Sequence, residues 1–173
     1  VSDIAAQDYT GGQITPDVTV TYSGTALVYG VDYTVTYENN INVTSAAKKA
    51  AAVIKGKGGY TSQIRSEFVI TPKNISKCSV DSISGQIYTG SAITPDVTVH
   101  DGDRVLEKNT DYTVSYSNNT DATTTAKAVV TGKGNYTGTQ EVQFVIAKVV
   151  VDISKAVISD IADQYYNFGE ELI

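Results

Sequence analysis

Methionine and tryptophan are absent from this 173-residue chain, and cysteine and histidine occur once each. A lone Cys78 excludes an intrachain disulfide. One cysteine and one histidine are too few ligands for a zinc site. A Ser-His-Asp or Cys-His arrangement could use only His100, which stands beside a turn, where an exposed loop histidine is expected. Basic residues are few and scattered. There are 13 Lys and Arg against 19 Asp and Glu, for a net charge of −6 and a pI near 4.6. The longest basic run is Lys48-Lys49, so the clustered basic face that nucleic acid requires is missing, as is a patch for an anionic membrane. No apolar run is long enough to cross a bilayer. No cofactor motif appears, and we expect no cofactor and no membrane insertion. Because even an initiator methionine is lacking, the chain reads as an excised or processed piece of something longer.

What is present is repetition. Tyr9-Thr10-Gly11 and Ile14-Thr15-Pro16-Asp17-Val18 return as Tyr88-Thr89-Gly90 and Ile93-Thr94-Pro95-Asp96-Val97, an offset of 79 (88 minus 9). Asp32-Tyr33-Thr34-Val35 returns as Asp111-Tyr112-Thr113-Val114. Gly56-Lys57-Gly58 returns as Gly132-Lys133-Gly134. Ile153-Ser154-Lys155 then repeats Ile75-Ser76-Lys77, and Tyr166 follows Tyr88. A period near 78 exceeds the roughly 20–50 residues of solenoid units and suits a small domain. The expected division is 1–73, 74–152, and a truncated start of a third copy over 153–173.

Each copy is rich in strand formers. Tyr112, Val114 and Tyr116 share one face of a strand, as do Tyr33, Val35 and Tyr37. Val142, Phe144 and Ile146 alternate with Gln143 and Val145, which is the period-two pattern of a half-buried strand. Turns at Ser23-Gly24-Thr25, Asp101-Gly102-Asp103, Asn39-Asn40 and Asn118-Asn119 separate the strands. Six or seven short strands per copy are expected. Ala46 to Ala52 alone would favour helix, but Thr123 to Ala128 at this place in the second copy is strand-like, so both should be strands. The first copy is three residues longer here, which predicts a bulge or longer loop near 41–45. The junctions, Thr71 to Ser76 and Ala147 to Ser154, are not Gly/Ser linkers. They predict strands running almost directly between domains, giving a semi-rigid rod.

With Tyr-Thr-Gly at 88–90, Ile-Thr-Pro-Asp-Val at 93–97, Asp-Tyr-Thr-Val-Ser-Tyr-Ser-Asn-Asn at 111–119 and Thr-Gly-Lys-Gly-Asn-Tyr-Thr-Gly-Thr at 131–139, each copy resembles the bacterial immunoglobulin-like repeats of Gram-positive surface and secreted proteins. The resemblance implies all-β folding, as two tandem immunoglobulin-like β-sandwich domains in an extended arrangement, and an extracellular, wall-associated setting. A lack of disulfides is ordinary there. The resemblance carries over no catalytic residue.

The remaining motifs favour structural roles. Gly132-Lys133-Gly134 lacks the spacing of a phosphate loop. Asp101, Asp103 and Asp111, or Asn118, Asn119 and Asp121, could offer oxygen ligands to calcium, although both sets sit at turns. Glu170-Glu171, adjacent on the tail, cannot flank a sugar as paired carboxylates must. A self-formed Lys–Asn amide bond would need a buried lysine; Lys127 and Lys133 are available, with no spacing to mark them. Four Asn-x-Ser/Thr sequons read as coincidence. Tyr22 and Tyr29 are the exception. They do not recur, their counterparts being Asp101 and Lys108, and exposed aromatics can stack on sugar rings or anchor a protein contact. The first reading is a monomeric, non-catalytic spacer whose partners are neighbouring repeats. The alternative is an adhesive module that binds a glycan or host protein through Tyr22 and Tyr29. Under either reading, residues 157–173 are expected to be disordered or to join the sheet edge of a neighbouring molecule.

Overall fold

A computed structural model describes residues 1–150, 152–159 and 162. Among them the regular elements are β-strands, apart from two 3-10 turns at Ile75–Lys77 and Ile153–Lys155. The chain is all-β with several sheets, consistent with β-sandwich packing. The expected opening strand of a third copy falls largely outside the described residues.

Equivalent sequences make equivalent ladders. In the first copy Tyr33–Glu38 pairs antiparallel with Ala50–Gly56, Tyr33 opposite Gly56, and Ala50–Gly56 pairs with Gln63–Phe68. In the second, Tyr112–Ser117 pairs with Thr123–Gly132, Tyr112 opposite Gly132, and that strand pairs with Thr139–Ala147. Gln7–Asp8 lies parallel to Ile70–Thr71, as Gln86–Ile87 lies parallel to the end of Thr139–Ala147. Gly56 and Gly132 are required by close backbone approach. A Cβ on Gly56 would lie 2.8 Å from the Tyr60 carbonyl carbon, and one on Gly132 would lie 2.6 Å from the Thr137 nitrogen.

The alanine-rich stretch divides. Ser45 and Lys48 form a tight antiparallel bridge, and the strand begins at Ala50. The buried partners of Ala50, Ala51 and Ala52 decide against helix, because burial against the sheets outweighs propensity worth tenths of a kcal/mol per residue. The three extra residues go into the loop before it. In the second copy the same place carries a register shift between Thr123 and Ala126.

A second layer packs on these sheets. In the second copy Val99–Asp101 lies between Arg104–Val105 and Ser79–Val80. In the first, Thr21–Tyr22 pairs with Thr25–Ala26 across Ser23 and Gly24, both at positive φ. Tyrosine hydroxyls tie the layers. Tyr33 and Tyr112 donate to the carbonyls of Val18 and Val97 at 3.1 and 2.7 Å. Tyr37 and Tyr116 donate to those of Pro16 and Pro95. The recurrent Tyr-x-x-x-Tyr and Ile-Thr-Pro-Asp-Val motifs are therefore two halves of one clamp. Three apolar clusters result. One belongs to the first copy, one to the far end of the second, and the largest runs across both.

Removing one clamp hydroxyl leaves a carbonyl short of its donor, buried at Val97 and part-buried at Val18. Tyr112→Phe and Tyr33→Phe should each cost about 1 kcal/mol, measured as a lower urea midpoint with an unchanged slope.

Candidate functional site

The connection between the copies is itself built into the sheets. After Pro72, Lys73–Asn74 runs parallel to Tyr136–Thr137, with Lys73 opposite Tyr136. The Lys73 amide donates to the Asn135 carbonyl at 3.0 Å. Asn74 then caps the turn Ile75–Lys77 by accepting from the Ser76 amide at 3.0 Å. Gly138, at φ 78°, leaves room for this cap, since a Cβ there would lie 2.6 Å from the Asn74 side-chain oxygen. A segment whose backbone is paired in this way is not a free linker.

Side chains from both copies close around it. Tyr9 of the first copy meets Tyr136 of the second edge to face, with ring centroids 5.5 Å apart and an interplanar angle of 82°. Arg104 donates to the Tyr9 hydroxyl at 2.7 Å and, through its other terminal nitrogen, to Asp111 at 3.2 Å. Asp111 is buried and also accepts from the Glu107 amide. Asp101 takes the Lys73 ammonium on one oxygen and the Tyr136 hydroxyl on the other. Asn135 donates to the Asn42 side chain at 3.0 Å and accepts from the Val43 amide at 2.9 Å. The hydrogen bond to Asp101 lifts the Lys73 ammonium above its ordinary value, and its attraction to that carboxylate adds to this. Burial, then the bond to Asp101, pushes the Tyr136 phenol up strongly.

Ile75 is the apolar centre of the joint. It is 0% exposed and packs in the cluster that holds Val99, Leu106, Tyr112, Val130 and Tyr136. Burying it contributes about 1.5–3 kcal/mol. In the orientation that satisfies its amide, Gln140 donates to the carbonyls of Ile75 and Cys78 at 3.0 and 3.2 Å. Cys78 is buried beside the turn, and desolvation pushes its thiol up.

No family model, curated protein or solved structure matches this chain.

The residues singled out from sequence fall elsewhere. Tyr22 and Tyr29 are 64% and 66% exposed, but each rests against a different ring, Tyr22 on Tyr60 and Tyr29 on Tyr33. They line two separate grooves with Tyr33 common to both. His100 lies 3.2 Å from Asp81 across a strand pair. Asp101 and Asp111 face cations rather than one another. Among the described residues, no three His, Cys, Asp or Glu side chains converge as metal ligands. Lys127 pairs with Glu141 at 2.8 Å, and the exposed Lys133 donates to the Asn109 carbonyl. Neither has the buried setting that an amide bond to asparagine needs. No helix among the described residues is long and apolar enough to cross a membrane. Arg104, Lys73, Asn42 and Asn135 were missed as a group. The available signal was that Asp101, Arg104 and Asn135 replace Tyr22, Thr25 and Gly59, so one copy carries polar groups where the other does not.

Arg104→Ala strips Asp111 of its cation and the Tyr9 hydroxyl of its donor. With Arg104 half exposed, the expected loss is about 1–3 kcal/mol in chemical denaturation. Alkali should act on the same joint. Lys73 and Tyr136 both hold their protons more tightly folded than unfolded. Their contribution is therefore complete below the ordinary values, about 10 for Tyr and 10.4 for Lys, and is lost as pH rises above them. The melting temperature should fall above pH ~10, and less steeply in Tyr136→Phe.

Proposed function

We propose that the chain is a pair of tandem immunoglobulin-like β-sandwich domains serving as a non-catalytic spacer in a bacterial cell-surface or secreted protein. It holds another region of its parent away from the wall. The joint carries this reading. Its connecting strand is hydrogen-bonded to the next repeat, its ion pairs are partly or fully shielded, and one apolar cluster holds residues of both copies. Such a joint resists bending, which a spacer needs and a flexible tether does not. The sequence resemblance to surface-protein repeats supports the extracellular placement. The neighbouring repeat is the partner that the geometry supports best.

A second reading has its own observation. Tyr29, Tyr33, Tyr37, Thr15 and Asp17 line a groove in the first copy. At the equivalent place in the second copy, Lys108 lies 3.9 Å from Asp96. An aromatic shelf beside a carboxylate and a hydroxyl suits a sugar ring, so the first copy would be the adhesive one.

Dyes on cysteines replacing Thr36 and Thr113, with Cys78→Ala, test the spacer by single-molecule energy transfer. One narrow distribution, unchanged by salt until unfolding, is expected. A broad, salt-sensitive distribution would refute it. Glycan-array binding that Tyr29→Ala abolishes would favour the adhesive reading instead.

A further inference from the structure

Strand direction sets apart the places where the chain enters and leaves each copy. Among the described residues, three ladders are parallel. Gln7–Asp8 lies along Ile70–Thr71, Gln86–Ile87 along the end of Thr139–Ala147, and Lys73–Asn74 along Tyr136–Thr137. The other ladders are antiparallel. Parallel pairing is slightly the weaker kind per residue, and a fold of hairpins does not need it. Here it occurs only between an incoming segment and the segment that leads out of the same copy.

Parallel neighbours point the same way, so the chain comes in at one end of the pair and goes out at the other. Tension then draws the two strands past one another along their own axes. The hydrogen bonds run across that direction and bear the load together. Had the same two segments paired antiparallel, entry and exit would share one end, and tension would part the bonds one after another.

The bonds so placed are well formed. The Gln7 amide donates to the Val69 carbonyl and the Tyr9 amide to that of Thr71, each at 2.9 Å. The Thr71 hydroxyl lies 3.1 Å from the Gln7 carbonyl and 2.8 Å from the Asp8 side chain. In the second copy the Tyr88 amide donates to the Ala147 carbonyl at 2.9 Å. Between these pairs, Tyr136–Thr137 continues through Gly138 into Thr139–Ala147. A pull arriving at Lys73 therefore passes across the joint to the strand by which the chain leaves the second copy. The Lys73–Asp101 ion pair and the burial of Ile75 support that crossing.

We propose that the chain is a tension-bearing link, in which the three parallel pairs carry a pull along the chain in succession and each copy yields only when its pair shears as a whole. This goes beyond spacing, since a joint can resist bending and still peel under a pull.

Single-molecule force spectroscopy on the full chain, held by handles at its two ends, tests it. The stretches from Tyr9 to Thr71 and from Tyr88 to Ala147 span 62 (71 minus 9) and 59 (147 minus 88) residues, and each should be released in one step of about 200 Å. No early step of about 45 Å, the 13 residues (86 minus 73) from Lys73 to Gln86, should precede them. Gln7→Pro deletes the amide that donates to Val69, in a strand paired on one side only, where proline is tolerated. At constant force it should shorten the lifetime of one long step about fivefold, the rate equivalent of one net hydrogen bond, and leave the other step unchanged. Thr71→Val, which keeps the shape and removes the hydroxyl, should act in the same direction. Tyr33→Phe lies outside the parallel pairs. It should lower the urea midpoint and leave both lifetimes as they were. Gradual lengthening without steps, an early short step, or wild-type lifetimes in both Gln7→Pro and Thr71→Val overturns the proposal. None of these results touches the spacer reading, which energy transfer decides in the absence of load.

Discussion

Ile75, at the start of the second copy, is fully buried in the apolar cluster that runs across both copies. Much of the joint follows from that one burial. Ile75 joins the cluster that holds Leu106, Tyr112 and Val130 through the turn at Ile75–Lys77, and the Asn74 side chain caps that turn. The cap in turn needs a glycine at 138. The strand leading to it lies against Tyr136–Thr137, which brings Lys73 to Asp101. A repeat of under 80 residues buries a limited fraction of its surface. One apolar cluster that holds Tyr9, Phe68 and Ile70 of the first copy with Ile75, Val99 and Tyr136 of the second enlarges that core and couples the two copies.

Charge at the joint is arranged to be satisfied rather than strong. Asp111 and Asp101 are well shielded, and each has both a cation and a second donor. Shielded carboxylates without such partners would be costly. The surface pairs, such as Arg65 with Glu38 and Lys49 with Glu67, are exposed on both sides and contribute little to stability. The acidic balance of the chain therefore says little about what holds it together. The few cations at the junction matter more than the total.

The β character, the turns and the tyrosine positions were legible in the sequence because each rests on local rules. Alternation of Tyr33, Val35 and Tyr37 follows from the two-residue period of a strand, and Ser23-Gly24 from the positive φ of a tight hairpin. The Ala46–Ala52 stretch was legible only by comparing copies, since its own propensity points to helix. The joint was hidden for a different reason. Tyr9 and Arg104 are 95 residues apart, as far in sequence as any contact that period and propensity cannot address. Asp101-Gly102-Asp103 was read as a turn, which it is, while the partner of Asp101 lay in another copy.

The sequence by itself determined that this is a repeated β-chain with few reactive side chains and junctions that are not Gly/Ser linkers, because composition, period and turn chemistry act over a few residues. Tertiary structure alone decided which differences between the copies carry consequence. Asp101, Arg104 and Asn135 became joint residues because a strand from the first copy passes beside them. Tyr22 and Ile64, which stand where Asp101 and Gln140 stand in the second copy, are exposed and take no part in the joint.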